Sequence, residues 1–393
     1  MSRPLPRISL SDLSLAAVNR ERFRDVVTQA AADDRISCRV KTTESGYSDL
    51  RLAIELLPET SSCFEFTNQY LSATRHEWPE TQVYAVNQPV YVLPNSGVVI
   101  TEAGQIISET IYPSSGDQSE ERIIGADLTE ETWSRFLSEC ETLADRWWTP
   151  LLPRWSNVYF HAVTEGLVQQ SIYRGLGVEE SLSYFAPATL TGSQTLIASK
   201  AREACHLTGA PLVKAPRLVI CDDLYQHAIM GPSFNCFADE THLNSVRASQ
   251  NPSHRHIYVS RRLAETRRMR NEAALIEALA ALGFHIVEAE QLSFDEQLDL
   301  FSQAKVIMGP HGAGLVNAAF ASPDCILFEL RPLNRAGESP YWGASYRKLA
   351  SVRKMPYFSH VSENEYGMDD WDADIATILK VATIAIHERR RPF

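Results

Sequence analysis

The chain has 393 residues, 44% hydrophobic and 22% charged, ordinary values for a folded globular protein and long enough for two domains. Its formal net charge of −12, from 49 acidic and 37 basic residues, argues against a nucleic-acid partner, so an anionic ligand must meet a local basic site. Seven scattered cysteines with no Cys-x-x-Cys pair argue against a disulfide frame or a zinc site, and no run of 18 apolar residues exists to span a membrane.

The N-terminus lacks the unbroken apolar core of a signal peptide, so a cytoplasmic location is expected, with peripheral membrane association left open. Residues 1–80 read as a variable region, with a helix within Leu13 to Ala32 and a strand at Arg51 to Leu56. Residues 81–250 read as a first domain. There, Pro89 to Leu93, Gly97 to Thr101 and Gly104 to Ser108 are strand-like runs divided by turns, a small antiparallel meander. Pro113 to Glu121 is a polar loop. Asn157 to Leu176 predicts one helix after a short strand-like entry, and Arg217 to Cys221 a buried strand ending in Asp222 and Asp223. Gln250 to His254 is a polar break.

Residues 251–368 then alternate regularly. Strand His256 to Ser260 precedes a helix of strong formers from Asn271 to Leu282, with Gly283 as its stop. Strand Phe284 to Glu288 follows, then a helix opened by Ser293 with Glu296 at capping-box spacing and running to about Ala304. Strand Val306 to Met308, a glycine turn, a short helix from Leu315 to Phe320 and strand Cys325 to Leu330 complete the series. Such alternation implies the α/β class and a parallel sheet with helices on both faces, whose ligands bind at the carboxyl ends of strands. Residues 369–393 read as a last helix and a solvated Arg389 to Arg391 tail.

The glycine turn is the most informative string. Gly309, Pro310, His311, Gly312 and Gly314 lead from strand to helix. A helix N-terminus there offers unpaired N–H groups and a favourable dipole to an anion, and glycines let a phosphate approach. His311 can add a hydrogen bond or a positive charge. The alternative is a tight turn whose glycines serve packing only. Upstream, Arg261, Arg262, Arg267, Arg268 and Arg270 follow a strand. Helix N-termini prefer acids, so this row is electrostatically costly without an anion, although a solvated basic helix start is the plainer reading. Glu329 ends the next strand, either to accept from ribose hydroxyls or as an exposed carboxylate. Asn317 faces a ligand or packs as an amide.

These pieces occur in a particular order: the arginines up to Asn271, then Ser293-Phe-Asp-Glu-Gln297, Gly309-Pro-His-Gly-Ala-Gly-Leu315 and Phe328-Glu-Leu330. That order resembles glycosyltransferase family 61. Tyr159-Phe-His161 with Glu165 resembles the family's upstream aromatic-His block. Ala162 stands where the family usually has Trp, and Gly166-Leu-Val-Gln-Gln170 where it has a Leu-Pro-Arg-like run. The resemblance implies a GT-B-like fold, two Rossmann-type domains facing a cleft. Residues 251–368 would hold a nucleotide-diphosphate sugar through Arg261, Arg267, Arg270, Gly309, His311, Gly312, Gly314 and Glu329. Residues 81–250 would offer the site for a glycan or lipid-linked glycan acceptor.

The resemblance further implies inverting transfer to a hydroxyl, in surface or capsular polysaccharide synthesis. Inversion needs a base for the acceptor proton, and cations or N–H groups on the departing diphosphate. His161 and Glu165 are the base candidates, four residues apart and so on one face of a helix. The plainer reading is a half-buried His beside a helix-surface acid. No cofactor or metal is expected. Asp370-Trp-Asp372-Ala-Asp374 reads as helix-capping acids, Asp222-Asp223 is an incomplete metal site, and His254-x-His256 lacks a third ligand. Two other functional classes stay open. Gly312-x-Gly314 with Glu329 downstream also suits a dinucleotide-dependent oxidoreductase, but Asn317 replaces the third glycine. A non-catalytic nucleotide- or carbohydrate-binding protein is the other.

Overall fold

A computed structural model describes residues 5–28, 37–49, 52–56, 75–110, 128–153, 155–201, 205–222, 230–248, 256–266, 268–332, 345–362 and 370–388. The chain is mixed α/β and divides into two compact units, residues 1–46 with 78–229, and residues 47–77 with 230–393. No helix among the described residues is long and apolar enough to cross a membrane.

The first unit holds two sheets among its described residues. In one, Val90–Val92 pairs antiparallel with Val99–Thr101, which pairs antiparallel with Ile106–Ile107. In the other, His206–Thr208, Leu182–Pro187, Trp147–Pro150 and Arg217–Cys221 run parallel as neighbours. Thr81–Val86 then joins antiparallel, and Cys38–Thr43 pairs antiparallel with it. The sheet is therefore mixed rather than purely parallel. Trp147–Pro150 leads through a turn to the helix that starts at Tyr159 and ends at Leu176. Gly177, at φ 69°, stops that helix in the left-handed conformation that costs glycine least. The predicted helix thus forms, but it is not uniform: residues Ala162–Gly166 make a π-turn inside it.

The second unit is built on one parallel sheet, in the order His285–Val287, His256–Val259, Val306–Pro310, Ile326–Pro332, Pro356–Ser362 and Leu52–Leu56. The first four of these are the strands expected from the alternation. The buried, near-continuous runs of Val306–Pro310 and Ile326–Pro332 suit a parallel sheet covered by other structure. Tyr258, Met308, Phe328, Phe358, Trp371 and Ile378 share one core. Ser293 and Glu296 form the expected capping box, and the helix runs Phe294–Ser302. The segment after the glycine turn is a 3-10 helix, Ala313–Phe320. The last helix is shorter than expected, Ile375–Glu388, for a reason given below. The polar stretches at residues 113–121 and 250–254 and the tail at 389–391 lie outside the described residues.

Candidate functional site

In the first unit the structure joins His161 and Glu165 directly. His161 Nδ1 donates to Glu165 Oε1 at 2.6 Å, and both side chains are buried. The acid is not on the helix surface, contrary to the plainer reading. The π-turn that carries Glu165 closes through a bond from Leu167 N to Ala162 O, five residues back. Thr164 Oγ1 donates to Phe160 O at 3.0 Å, binding a carbonyl within the altered turn. Through Nδ1, Glu165 fixes the orientation of the imidazole. Trp155 and Phe160 line the imidazole, at ring distances of 6.4 and 5.2 Å.

In the second unit the glycine turn leaves the carboxyl end of Val306–Pro310, as expected. The glycines differ in what they do. A side chain on Gly309 would sit 2.6 Å from Val259 O, and one on Gly314 would sit 3.0 Å from Val259 Cγ1 and 3.4 Å from Ala289 Cβ. Both serve packing against the His256–Val259 strand. Gly312 faces the Arg261 guanidinium instead, which a Cβ there would overlap. Arg261 is anchored at both ends: its N donates to the buried Glu272 Oε1 at 2.9 Å, and Nη2 to Thr266 O at 3.1 Å. Tyr258 OH donates to the same Glu272 oxygen. Tyr346 OH donates to Gly312 O, and its ring meets His311 edge-on at 5.4 Å.

Glu329 requires a correction. It does not end its strand as an exposed carboxylate or as a ribose acceptor. It pairs in register with Gly309 in the middle of Ile326–Pro332, and it is fully buried. Its oxygens accept from His311 Nδ1 and from Tyr357 OH, each at 2.5 Å. Glu329 therefore orients His311, whose ring remains partly exposed. Burial pushes the Glu329 carboxyl up. The hydrogen bond and charge of His311, the charge of Arg331 and the Tyr357 hydroxyl outweigh it and hold the group below the ordinary glutamate range. A carboxyl depressed in the folded state contributes stability above its unfolded value of about 4.3, and loses it as pH falls through the lower folded value. Glu329→Gln should accordingly cost roughly 1.5–3 kcal/mol at neutral pH and flatten the acid limb of the stability curve. Urea titrations from neutral to acid pH check this; identical acid limbs for the two proteins would refute it.

The arginine row also resolves differently. Arg270 Nη2 pairs with Asp372 Oδ2 at 2.6 Å, Arg268 Nη2 with Asp370 Oδ2 at 3.0 Å, and Arg262 with Glu288. For these three arginines the anions come from the chain itself. Backbone bonds zip the same segments together, Arg270 N to Trp371 O and Trp371 N to Arg268 O. Hence Asp370 and Asp372 do not cap the last helix. Only Asp374 does, accepting from Thr377 N at 3.1 Å. Arg261 stays at the turn, Arg270 is turned toward Asp372, and Arg267 lies outside the described residues. Asn317 packs as an amide, donating to Gln297 Oε1 and Gly314 O. Asp222 accepts from Gln82 N, while Asp223 and His254 lie outside the described residues. Among the described residues no group of three His, Cys, Asp or Glu gathers to hold a metal ion. Tyr346, Tyr357 and Glu272 carry no motif that would have singled them out; only the fold brings them to the turn.

The model of the family described as Glycosyltransferase 61 matches residues 99–328, more than half of the chain. The match includes the His161–Glu165 pair, Arg261 and the glycine turn, and it ends one residue before Glu329. Comparison with curated proteins finds no match.

Proposed function

The chain belongs to glycosyltransferase family 61, and from that premise we propose that it transfers a sugar with inversion from a nucleotide-diphosphate sugar to a hydroxyl of a glycan or lipid-linked glycan. Membership makes it a glycosyltransferase, with a sugar donor and a glycan acceptor in general terms. The finer reading rests chiefly on the bare Gly312 held beside the Arg261 guanidinium, with His311 adjacent on a buried carboxylate. A guanidinium lying against the bare backbone of the turn, beside an oriented imidazole, gathers donors that suit a diphosphate. In this proposal the second unit holds the donor, and the His161–Glu165 pair of the first takes the acceptor proton, on the GT-B plan. A role in surface or capsular polysaccharide synthesis completes it.

The reaction needs three events. The acceptor oxygen loses its proton to His161 Nε2 as it attacks the anomeric carbon. The bond from that carbon to the diphosphate breaks. The charge that develops on the leaving diphosphate is met by Arg261, His311 and the N–H groups of the turn. Thermal shifts with a panel of nucleoside diphosphates, followed by transfer assays with the sugar nucleotides that stabilise the protein, test the reading directly. Stabilisation by NAD and by no nucleoside diphosphate would replace it with the oxidoreductase reading. Nucleotide binding with neither transfer nor donor hydrolysis would leave a non-catalytic binding protein.

The proposed charge stabilisation comes from protein groups, so transfer is expected to persist in EDTA. Rates measured with and without chelator check this. Complete loss that manganese restores would contradict it.

A further inference from the structure

The Gly166-Leu-Val-Gln-Gln170 run packs against helix Gly192–Lys200. That helix contacts the His161 helix and the residues just before it at three levels. Before it, Gln194 Nε2 donates to the buried Ser156 Oγ at 3.1 Å. Within the π-turn, Gly166 abuts Ile197: a Cβ on Gly166 would overlap Ile197 Cδ1 and sit 2.9 Å from Cγ1. Beyond the turn, Gln170 Nε2 donates to Ile197 O at 2.9 Å. Ile197 is fully buried and β-branched in a helix, so it has little freedom to yield. A capping box, Thr191 with Gln194, fixes the start of its helix.

We infer that Gly166, Gln170 and Ile197 are positioning residues for the His161–Glu165 pair, locking the π-turn that presents Glu165 to the imidazole. The inference rests on the proposed role of that pair as the base. A π-turn is an uncommon interruption of a helix and is found mostly where a site needs a side chain re-aimed. Here the turn contains Glu165, ends at Gly166, and is backed by a helix whose closest approach only glycine permits. The Gly166 to Gln170 run is thus a local device for orienting the pair.

The test combines ring NMR of His161 with kinetics of the full chain. Gly166→Ala should shift the ¹H–¹⁵N signals of the His161 imidazole. It should also lower kcat on the order of 10- to 100-fold, the scale of a small misplacement of a reacting group, with nucleoside-diphosphate Kd unchanged. Adding Ile197→Ala returns the space and should restore both readouts. Gln170→Met, close in volume but unable to donate to Ile197 O, should shift the same ring signals and lower kcat severalfold, and it serves if Gly166→Ala does not fold. Wild-type ring signals in Gly166→Ala or in Gln170→Met would overturn the inference, and so would a folded double variant that restores neither readout. Ring signals that follow the expected pattern in a protein without transferase activity would support the positioning roles and sink the transferase reading instead.

Discussion

Gly312→Ala is expected to abolish nucleoside-diphosphate binding while the protein keeps its fold. The added Cβ overlaps the Arg261 guanidinium, with Cζ at 2.8 Å and Cδ at 2.9 Å. These atoms belong to a long side chain on a partly exposed residue, so Arg261 can swing aside at small cost to folding. The swing removes the cation, and the new methyl stands where a phosphate would approach. Gly314→Val, at first sight an equivalent probe, is a poorer one: it meets Val259 and Ala289 within the packed unit, so lost binding would not be separable from lost structure. Arg261→Ala removes the cation without adding bulk and should cost about 1.5–3 kcal/mol of nucleotide affinity, the range for hydrogen bonds to a charged group. Titration calorimetry with melting temperatures for both variants decides the matter. Wild-type nucleotide affinity in a folded Gly312→Ala protein would dismiss the turn as a donor site.

How far the site could be read from the sequence follows from the range of each interaction. The glycine turn and the Ser293–Glu296 capping box are local, and both are found where their spacing puts them. The pairing of His161 with Glu165 is local too, and its four-residue spacing points to it. The π-turn is not legible, because four-residue neighbours meet in either helix form. Longer-range partners are invisible in the string. Glu329 looks like a strand-end acid until Tyr357, 28 residues on, takes one of its oxygens. Arg268 and Arg270 look starved of anions until Asp370 and Asp372, 102 residues away, fold against them. The strand Leu52–Leu56 was recognisable as a strand, but its place beside Pro356–Ser362 was not. Register in a parallel sheet is set by crossovers far apart in the chain, so a strand's own residues do not name its neighbour.

The pair in the first unit carries the other large effect. His161→Ala should lower turnover by about 10²–10⁴-fold, the usual contribution of a positioned general base, and leave nucleoside-diphosphate affinity nearly intact, since the groups proposed for the donor belong to the second unit. The geometry also ranks the two residues. Glu165 is the more deeply buried, and its Oε1 is taken by His161 Nδ1 at 2.6 Å. In the proposed reaction the imidazole takes the proton, and Glu165 fixes the ring through Nδ1. Glu165→Gln retains an oxygen that can accept from Nδ1 but removes the charge. Its loss should therefore be smaller than that of His161→Ala. A moderately reduced turnover with unchanged nucleoside-diphosphate affinity is the expected result for Glu165→Gln. A deeper loss in Glu165→Gln than in His161→Ala would make the carboxylate itself the base. Near-normal turnover in both would leave the pair a structural contact and return the search to other groups of the first unit.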